Sequence, residues 1–486
     1  PGTEGVLARA MAGVLLSEDL VGGAARSRYG RLFPGDPPNL DEAAEFCDVS
    51  AEKIQRITRE LGAAENRVVV AGGSAAAHSN GLSNVVAALG LNLLLDNLGR
   101  PGGVFAPVHL ELAGGIASSE SIPASLAELT ARLRGESGAP VQLLFVVDAD
   151  PLHVLPASWG LDEALADVET IVALSSFRDD TTLHADLVLP LNNELERFNA
   201  VEPAASVGLP VLGLSQAVVD PLGSGNHPVD VILALATALG EPVASNFPWS
   251  SFENLVRTRI EEDLDRLPGA ASADASNYYS DALARGGIFD HGGLQVAPPG
   301  PTDTATETSL SRFEGAAGEY PYLLLPFESL KTAAGRGANR PWLQELPDPM
   351  STVMWNSWAE LSPTDAEQLG VRDGDHLRID SPTGSIEAQA VVDPAVRPGV
   401  IGMPLGQGYR QYGRYAQGRG ANPLDLVGRL QVEDTSAPAW AATRVRIERL
   451  GPGELVRSGR SYTDQSEGER IPVGWAPQDT GGEDVA

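Results

Sequence analysis

Cysteine occurs once in the 486 residues, as Cys47. A disulfide framework within the chain is therefore excluded, and so is a cluster or zinc ion held by several thiolates of this stretch. Lysine is nearly as scarce, with only Lys53 and Lys331 present. Lys and Arg total 34 against 65 Asp and Glu, a formal net charge of −31. Such a chain excludes nucleic acid as a partner, because phosphate binding needs a basic surface. Arginine supplies nearly all the positive charge, and it suits bidentate phosphate recognition better than lysine does. The overall acidity is read as compositional bias, and local arginine placement is judged separately. No apolar run reaches the roughly 18 residues of a membrane span. Leu82 to Leu95 comes closest, and Asn84, Asn92 and Asp96 interrupt or bound it. The phosphate-loop patterns GxGxxG and GxxxxGK[ST] are missing as well. The chain begins Pro1-Gly2-Thr3-Glu4 without Met. It is read as a piece of a longer protein, so the lack of a targeting segment says nothing about export.

What is present is a chain long enough for two to four domains of about 150 residues each. Apolar residues make up 43%, enough for large cores, while 53 Gly and 36 Pro predict many loops. The rest is organised around 67–105. Val68, Val69 and Val70 form a β-branched run that predicts a buried parallel strand. Gly72 and Gly73 end it, and small or polar residues follow through Ser74, His78, Ser79, Asn80 and Gly81. Leu82 to Leu95 then has room for about four helical turns. Asn97, Gly99, Pro101 and Gly102 stop it. Strand, side-chain-poor loop and helix make half of a βαβ unit, and ligands of open α/β sheets sit over the carboxyl ends of such strands. The helix adds a partly positive N-terminus for an anion. On these residues alone, a nucleotide-type ligand and a plain strand-to-helix turn both stay open.

Further along, helices are predicted over Glu4 to Leu20, Asp41 to Cys47, Ser50 to Leu61 and Ser125 to Arg134. Gln142 to Val147 reads as a buried strand running into the turn Asp148-Ala149-Asp150-Pro151-Leu152. Glu169 to Leu174 is another strand, followed by SSFRDDTT and HADLVLP. The loop Asn192 to Glu202 carries Glu196 and Asn199, and Val229 to Leu239 is an apolar helix. From Glu241 to about Glu319 Ser, Asp, Gly, Pro and Ala dominate, with a charged helix at Phe252 to Leu264. Ala297 to Ser309 is of low complexity and reads as linker or surface insertion. Tyr320 to Phe327 opens an alternating β region. Its turn pairs Asp373-Gly374 and Thr383-Gly384 predict a closed β domain up to Ile447. Gly406-Gln407-Gly408 and Gly418-Arg419-Gly420-Ala421-Asn422 form Gly-rich loops within it, and Arg410, Arg414 and Arg419 cluster there.

Taken in this order, these blocks resemble the molybdopterin oxidoreductase family of the dimethyl-sulfoxide-reductase type. The match rests on PGTE, on His78, Asn80-Gly81, Asn92, Gly99 and Gly102-Gly103, on the Asp180-Thr181 pair with Ala185-Asp186, on NRPWL, and on the Gly-rich loops. The resemblance implies an α/β fold class. A parallel-sheet, Rossmann-like domain would span 1–240, a linker and insertion 241–319, a six-stranded double-psi β-barrel domain 320–451 and a polar tail 452–486. It implies a bis-molybdopterin guanine dinucleotide with molybdenum or tungsten between the domains. One side would be lined by His78, Asn80, Gly81, Asp150, Pro151, Ser176, Asp180 and Thr181. The other would be lined by Gly406, Gln407, Gly408, Arg419 and Asn422. In this family the metal ligand and the cluster cysteines lie upstream of Pro1, so no catalytic residue and no metal ligand is assigned here. An iron–sulfur cluster is expected in that upstream part or in a partner. The wording of RGANRPWLQELPDPM and GQGYRQYGRYAQGRGANP is most similar to subunits of quinone-linked respiratory complexes, of the polysulfide-reductase type or alternative complex III. The implied partners are an iron–sulfur electron-transfer subunit and an integral membrane, quinone-interacting subunit. The chain would be membrane-associated through them, on the periplasmic side. Two departures matter: Asp148 replaces a usual Gly and Asp150 a usual Asn. Carboxylates beside a pyrophosphate repel it unless compensated, and Arg178, Arg410 and Arg419 are the expected compensators. They keep an alternative open: a cofactor-free scaffold subunit of the same fold.

Overall fold

The computed structural model describes residues 1–33, 39–100, 102–105, 125–203, 209–270, 274–290 and 309–458. Residues 113–119, the low-complexity stretch up to 308 and the tail beyond 458 lie outside the described residues.

The N-terminal helices follow their local signals. Glu4–Ser17 packs against Gly81–Leu94, and the two share a core of Ala8, Ala12, Leu15, Ala87, Leu91 and Leu94. Ser50 caps Ala51–Ala63 by accepting from the Lys53 amide at 3.3 Å, and Ser125 caps Leu126–Leu133 by accepting from Glu128 at 3.0 Å. A hydroxyl at these positions satisfies one of the helix's orphan N–H donors.

Three strands, β1 (Leu143–Val147), β2 (Thr170–Ser175) and β3 (Leu187–Pro190), form a parallel sheet in that order. Ile171, Val172, Ala173 and Leu174 of the central strand are buried. Val68–Val70 is not part of this sheet, which corrects the expected strand. The run makes no ladder among the described residues; Val68 is 43% and Val70 85% exposed. The Asn92 side chain takes the place of a neighbouring strand. Its Oδ1 accepts from the Val69 amide at 2.9 Å, and its Nδ2 donates to the Val69 carbonyl at 2.7 Å. β-propensity expresses fit to a packed neighbour, and here the neighbour is a helix.

The stretch read as linker and insertion holds more structure than its composition predicted. β4 (Asn199–Val201), β5 (Val211–Ser215) and β6 (Gly287–Phe289) form an antiparallel sheet. Helices Phe252–Glu262 and Ala275–Arg285 cover it around Leu212, Ile260, Tyr279 and Ile288. Glu196 and Asn199 serve local structure at its edge. Glu196 closes a capping box with Asn193 and accepts from the Leu222 amide at 3.0 Å. Asn199 begins β4.

The last six strands close into a barrel. They are β7 (Tyr322–Phe327), β8 (Trp358–Leu361), β9 (His376–Asp380), β10 (Ser385–Val392), β11 (Val400–Pro404) and β12 (Arg444–Gly451), in the order β10-β8-β11-β7-β12-β9. Leu324, Leu361, Leu377, Ile379, Ile401 and Val445 are at most 1% exposed inside it. Each such burial stabilises by about 1.5–3 kcal/mol, so the barrel holds itself together. Its loops over 328–357 and 405–427 are left to meet the α/β domain.

Candidate functional site

The carboxyl ends of β1 and β2 face the barrel loops. After Val147 the chain turns through Asp148, whose φ is +47°, with its amide donating to the Leu174 carbonyl at 2.8 Å. The turn leads into the short helix Pro151–Val154. After β2, Asp179 and Thr182 bond reciprocally: the Asp179 amide donates to Thr182 Oγ1 at 2.7 Å and the Thr182 amide to Asp179 Oδ1 at 2.8 Å. Asp150 stitches the two loops together. Its Oδ1 accepts from the Thr181 amide at 3.0 Å and from Thr181 Oγ1 at 2.5 Å, while its buried Oδ2 has no partner.

The barrel meets these loops directly. Asp180 accepts from the amides of Gln411, at 2.7 Å, and Arg410, at 3.3 Å. Asn422 Nδ2 donates to the His153 carbonyl at 2.8 Å, and its Oδ1 accepts from the Leu424 amide at 3.1 Å. The His153 ring stacks on Tyr409 with centroids 3.4 Å apart, and Tyr409 stacks on Tyr412 at 4.6 Å. At these loops two ion pairs span the boundary, Arg336 to Asp148 and Arg410 to Asp162, each at 3.2 Å. Between these contacts a cavity of about 300 Å³ remains, walled by Pro151, His153, Asp162, Asp180, Arg410 and Asp425 among others.

Burial dominates its electrostatics. It pushes the Asp150 carboxyl up to about 6, with Asp179 and Asp180 adding to the effect and the Thr181 hydroxyl opposing it. Asp179, Asp180 and Asp425 are raised by burial too. His153 is lowered to about 3 by burial and is neutral at physiological pH. A neutral imidazole stacks on a phenol without the cost of desolvating a cation.

The expected site residues divide into three groups. Asp150, Pro151, Asp180, Thr181, Gly408 and Asn422 come together here. Ser176, Gly406, Gln407 and Arg419 sit in the same loops but face other neighbours. The Ser176 hydroxyl donates to the Leu191 carbonyl, and Gln407 pairs with Gln344 at 2.7 Å. The Arg419 guanidinium lies 4.7 Å from the Trp355 ring, and Gly406 packs on Thr332. His78, Asn80 and Gly81 do not line the cavity. They are buried at the amino end of Gly81–Leu94, where Asn80 Nδ2 donates to the carbonyls of Gly2 at 2.8 Å and Ser309 at 2.7 Å. Gly81 is required there, since a Cβ would lie 2.1 Å from the Ala76 carbonyl oxygen. Sequence reasoning missed His153, Tyr409, Asp162 and Asp425. The three-residue spacing of Tyr409, Tyr412 and Tyr415 was a usable signal for the aromatic stack; a lone His after Pro-Leu was not.

The residues can be tested against a pterin dinucleotide as they stand. Asp180 already spends both carboxylate oxygens across the boundary, and Asn422 spends its Nδ2 there and its Oδ1 on the Leu424 amide. The space in front of Gly408 is filled, because a Cβ would lie 2.3 Å from the Asn422 amide nitrogen. The cavity walls carry Asp162, Glu163, Asp180 and Asp425 against the single cation Arg410. Arg336 is the compensator of Asp148, and Arg178 makes no ion pair among the described residues. In this closed arrangement the cleft does not fit a pyrophosphate.

The chain combines a parallel α/β sheet with a closed six-stranded barrel, and this architecture is shared with known proteins. Residues 343–431 match the molydopterin dinucleotide binding domain. The chain is related to the dimethyl-sulfoxide-reductase type of molybdopterin subunits. It is 25% identical over 454 residues to the menaquinone reductase, molybdopterin-binding-like subunit of Nitratidesulfovibrio vulgaris, covering 92% of this chain and 62% of that protein. It is 22% identical over 485 residues to the thiosulfate reductase molybdopterin-containing subunit of Salmonella typhimurium, covering 84% and 62%. A shorter match of 35% over 144 residues links it to the arsenate respiratory reductase molybdopterin-containing subunit of a Shewanella strain, covering 28% and 17%. The chain thus spans less than two thirds of these relatives' lengths. The acetylene hydratase of Pelobacter acetylenicus shares the fold, with a TM-score of 0.69 at 16% identity, covering 92% of this chain and 70% of that one.

Proposed function

We propose that this chain is the molybdopterin-type subunit of a respiratory oxidoreductase complex that exchanges electrons with quinone. Supporting the reading is one observation: the barrel, with its dinucleotide-domain match, sets Gly408 and Asn422 opposite Asp150, Pro151, Asp180 and Thr181. Its partners would be an iron–sulfur electron-transfer subunit and an integral membrane quinone-interacting subunit. No helix among the described residues is long and apolar enough to cross a membrane, so attachment would run through those partners, on the periplasmic side.

Two forms of this role differ in cofactor content. In the first, a bis-molybdopterin guanine dinucleotide with molybdenum or tungsten lies between the domains, with an iron–sulfur cluster elsewhere in the longer protein or in a partner. The cofactor would supply the oxygen-atom or electron-transfer chemistry. The residues expected to hold it, Asp180 and Asn422, are bonded instead to Gln411 and His153. In the second, the chain is a scaffold without the cofactor. The carboxylate-lined, self-bonded cleft favours this form, because like charges about 4 Å apart repel by roughly 4 kcal/mol at an effective dielectric of about 20. Molybdenum, tungsten and pterin analysis of the purified native complex decides between them. Stoichiometric pterin establishes the first form, and its absence from a fully assembled complex establishes the second. An assembled complex with neither quinone-linked activity nor an iron–sulfur partner would refute the proposal as a whole.

A further inference from the structure

The chain is strongly acidic, yet two barrel-mouth stretches are free of acid. Residues 329–344 and 405–422 contain Lys331, Arg336, Arg340, Arg410, Arg414 and Arg419 and no Asp or Glu. They form one surface. Gln344 and Gln407 bond to each other, the Tyr412 hydroxyl donates to the Arg336 carbonyl at 3.1 Å, and Ala338 packs with Tyr409 and Ala416. Three of the six cations are engaged internally. Arg336 and Arg410 pair across the domain boundary, and Lys331 is buried with its Nζ on the Val353 carbonyl. Arg340, Arg414 and Arg419 have no carboxylate partner among the described residues.

Two of these three are ordered all the same. The Arg414 guanidinium lies 4.6 Å from the Tyr415 ring centroid and that of Arg419 lies 4.7 Å from Trp355. The Tyr415 and Trp355 rings are 6.4 Å apart. The result is a continuous row, Arg414–Tyr415–Trp355–Arg419, with a cation at each end. Trp355 stands in it at a φ of +62°, a conformation uncommon for a bulky residue. Its amide is fixed by a 3.0 Å bond to the Gln344 carbonyl. The Arg419 Nε is buried without an acceptor.

We infer that this row is a docking site for an acidic, extended segment of a protein partner. The Arg414 guanidinium also donates to the Tyr415 hydroxyl; held in this way, the two guanidinium groups can each meet a carboxylate with little further ordering. Cations at both ends of an aromatic pair suit spaced Asp or Glu side chains with apolar groups between them. A long polyanion or an anionic membrane would instead face the chain's wider acidic surface, whose repulsion reaches about 8 Å at physiological ionic strength. The inference takes from the proposed function only that the chain works with partner subunits, and it does not depend on pterin content.

The test uses a fluorescein-labelled oligoglutamate peptide on the purified full chain, with oligoserine and GMP as comparison probes. The paired variants are Arg414→Glu with Arg419→Glu and, more gently, Arg414→Gln with Arg419→Gln. Far-ultraviolet circular dichroism and the urea midpoint show whether each is folded. The expected result is salt-sensitive binding of oligoglutamate that quenches tryptophan emission, weakened about tenfold or more by charge reversal and less by the Gln pair. In the native complex, the reversal should lower retention of one partner subunit. Oligoglutamate binding no tighter than oligoserine, or binding unchanged in both variant pairs, overturns the inference. GMP binding tighter than the peptide, and lost in the variants, would assign the row to a nucleotide and overturn it too. Metal, pterin and quinone-linked activity are read separately, so failure of the proposed function is distinguishable from failure of this one.

Discussion

Replacing Asp150 by Asn isolates the most unusual carboxylate in the cleft. Burial raises its titration from the ordinary 3.8 to about 6. A carboxyl raised in this way favours the folded state fully at pH below the unfolded value, and that contribution is lost as pH rises through the folded value. At 1.36 kcal/mol per pH unit, the interval from 3.8 to about 6 corresponds to about 3 kcal/mol, lost on going from pH 4 to pH 7. Asn abolishes that loss. Its Oδ1 can still accept from the Thr181 amide and hydroxyl, now at 3.0 and 2.5 Å from Asp150 Oδ1. Its Nδ2 would sit where Oδ2 has no partner, at a cost of about 1–3 kcal/mol for an unsatisfied buried donor. The absolute stability at pH 7 should therefore change little, or rise by up to about 2 kcal/mol, while the slope against pH changes clearly. Urea denaturation of both proteins across pH 4 to 8 reads that slope. Asp179 and Asp180 are raised in both proteins, and the relief of their coupling to Asp150 is part of the difference. Parallel curves for wild type and Asp150→Asn would refute the account of Asp150 as a desolvated, charge-crowded carboxylate.

Asp180→Ala should free the Arg410 and Gln411 amides, now bonded at 3.3 and 2.7 Å. A net loss of about 2 kcal/mol, after allowing for the carboxylate's own desolvation, predicts roughly 30-fold faster hydrogen exchange at those two amides. Unchanged exchange would show that the boundary does not depend on this latch. Asn92→Ala removes both bonds to Val69 and the acceptor of Asn97 Nδ2; a drop of about 2–4 kcal/mol in urea unfolding is expected, with proteolytic cleavage appearing near 67–72. Gly408→Ala combines a φ of +93° with a Cβ 2.3 Å from the Asn422 amide nitrogen. It should destabilise by more than about 2 kcal/mol, and a wild-type melting temperature would show that the loop can shift aside.

Much of the frame was legible because it depends on local, repeating signals. Helix caps at Ser50 and Ser125, the apolar runs at Leu143–Val147 and Thr170–Ser175, and the turn pairs between barrel strands each carry their physics within a few residues. The order of those blocks sufficed for an α/β sheet followed by a closed barrel. Composition signalled one charged helix in 241–319; the second helix and β6 depend on Ile260, Tyr279 and Ile288, which are sparse in sequence and meet only when β5 and β6 pair.

The sequence by itself determined the charge, the near absence of thiols and lysines, the acid-free barrel loops and the approximate position of most elements. Tertiary structure alone decided what each polar side chain does. Val68–Val70 has the residues of a strand, but strand formation needs a partner, and Asn92 supplied a different one. Asn80 and Asn422 carry the same amide. One clamps Gly2 to Ser309 inside the helical layer, and the other joins the two domains at His153. Asp148 and Asp150 are two residues apart, yet one pairs with Arg336 at the surface and the other is buried against Thr181. Hydrogen bonds and ion pairs act over about 3 to 4 Å, and which groups come within that reach is set by residues hundreds of positions away.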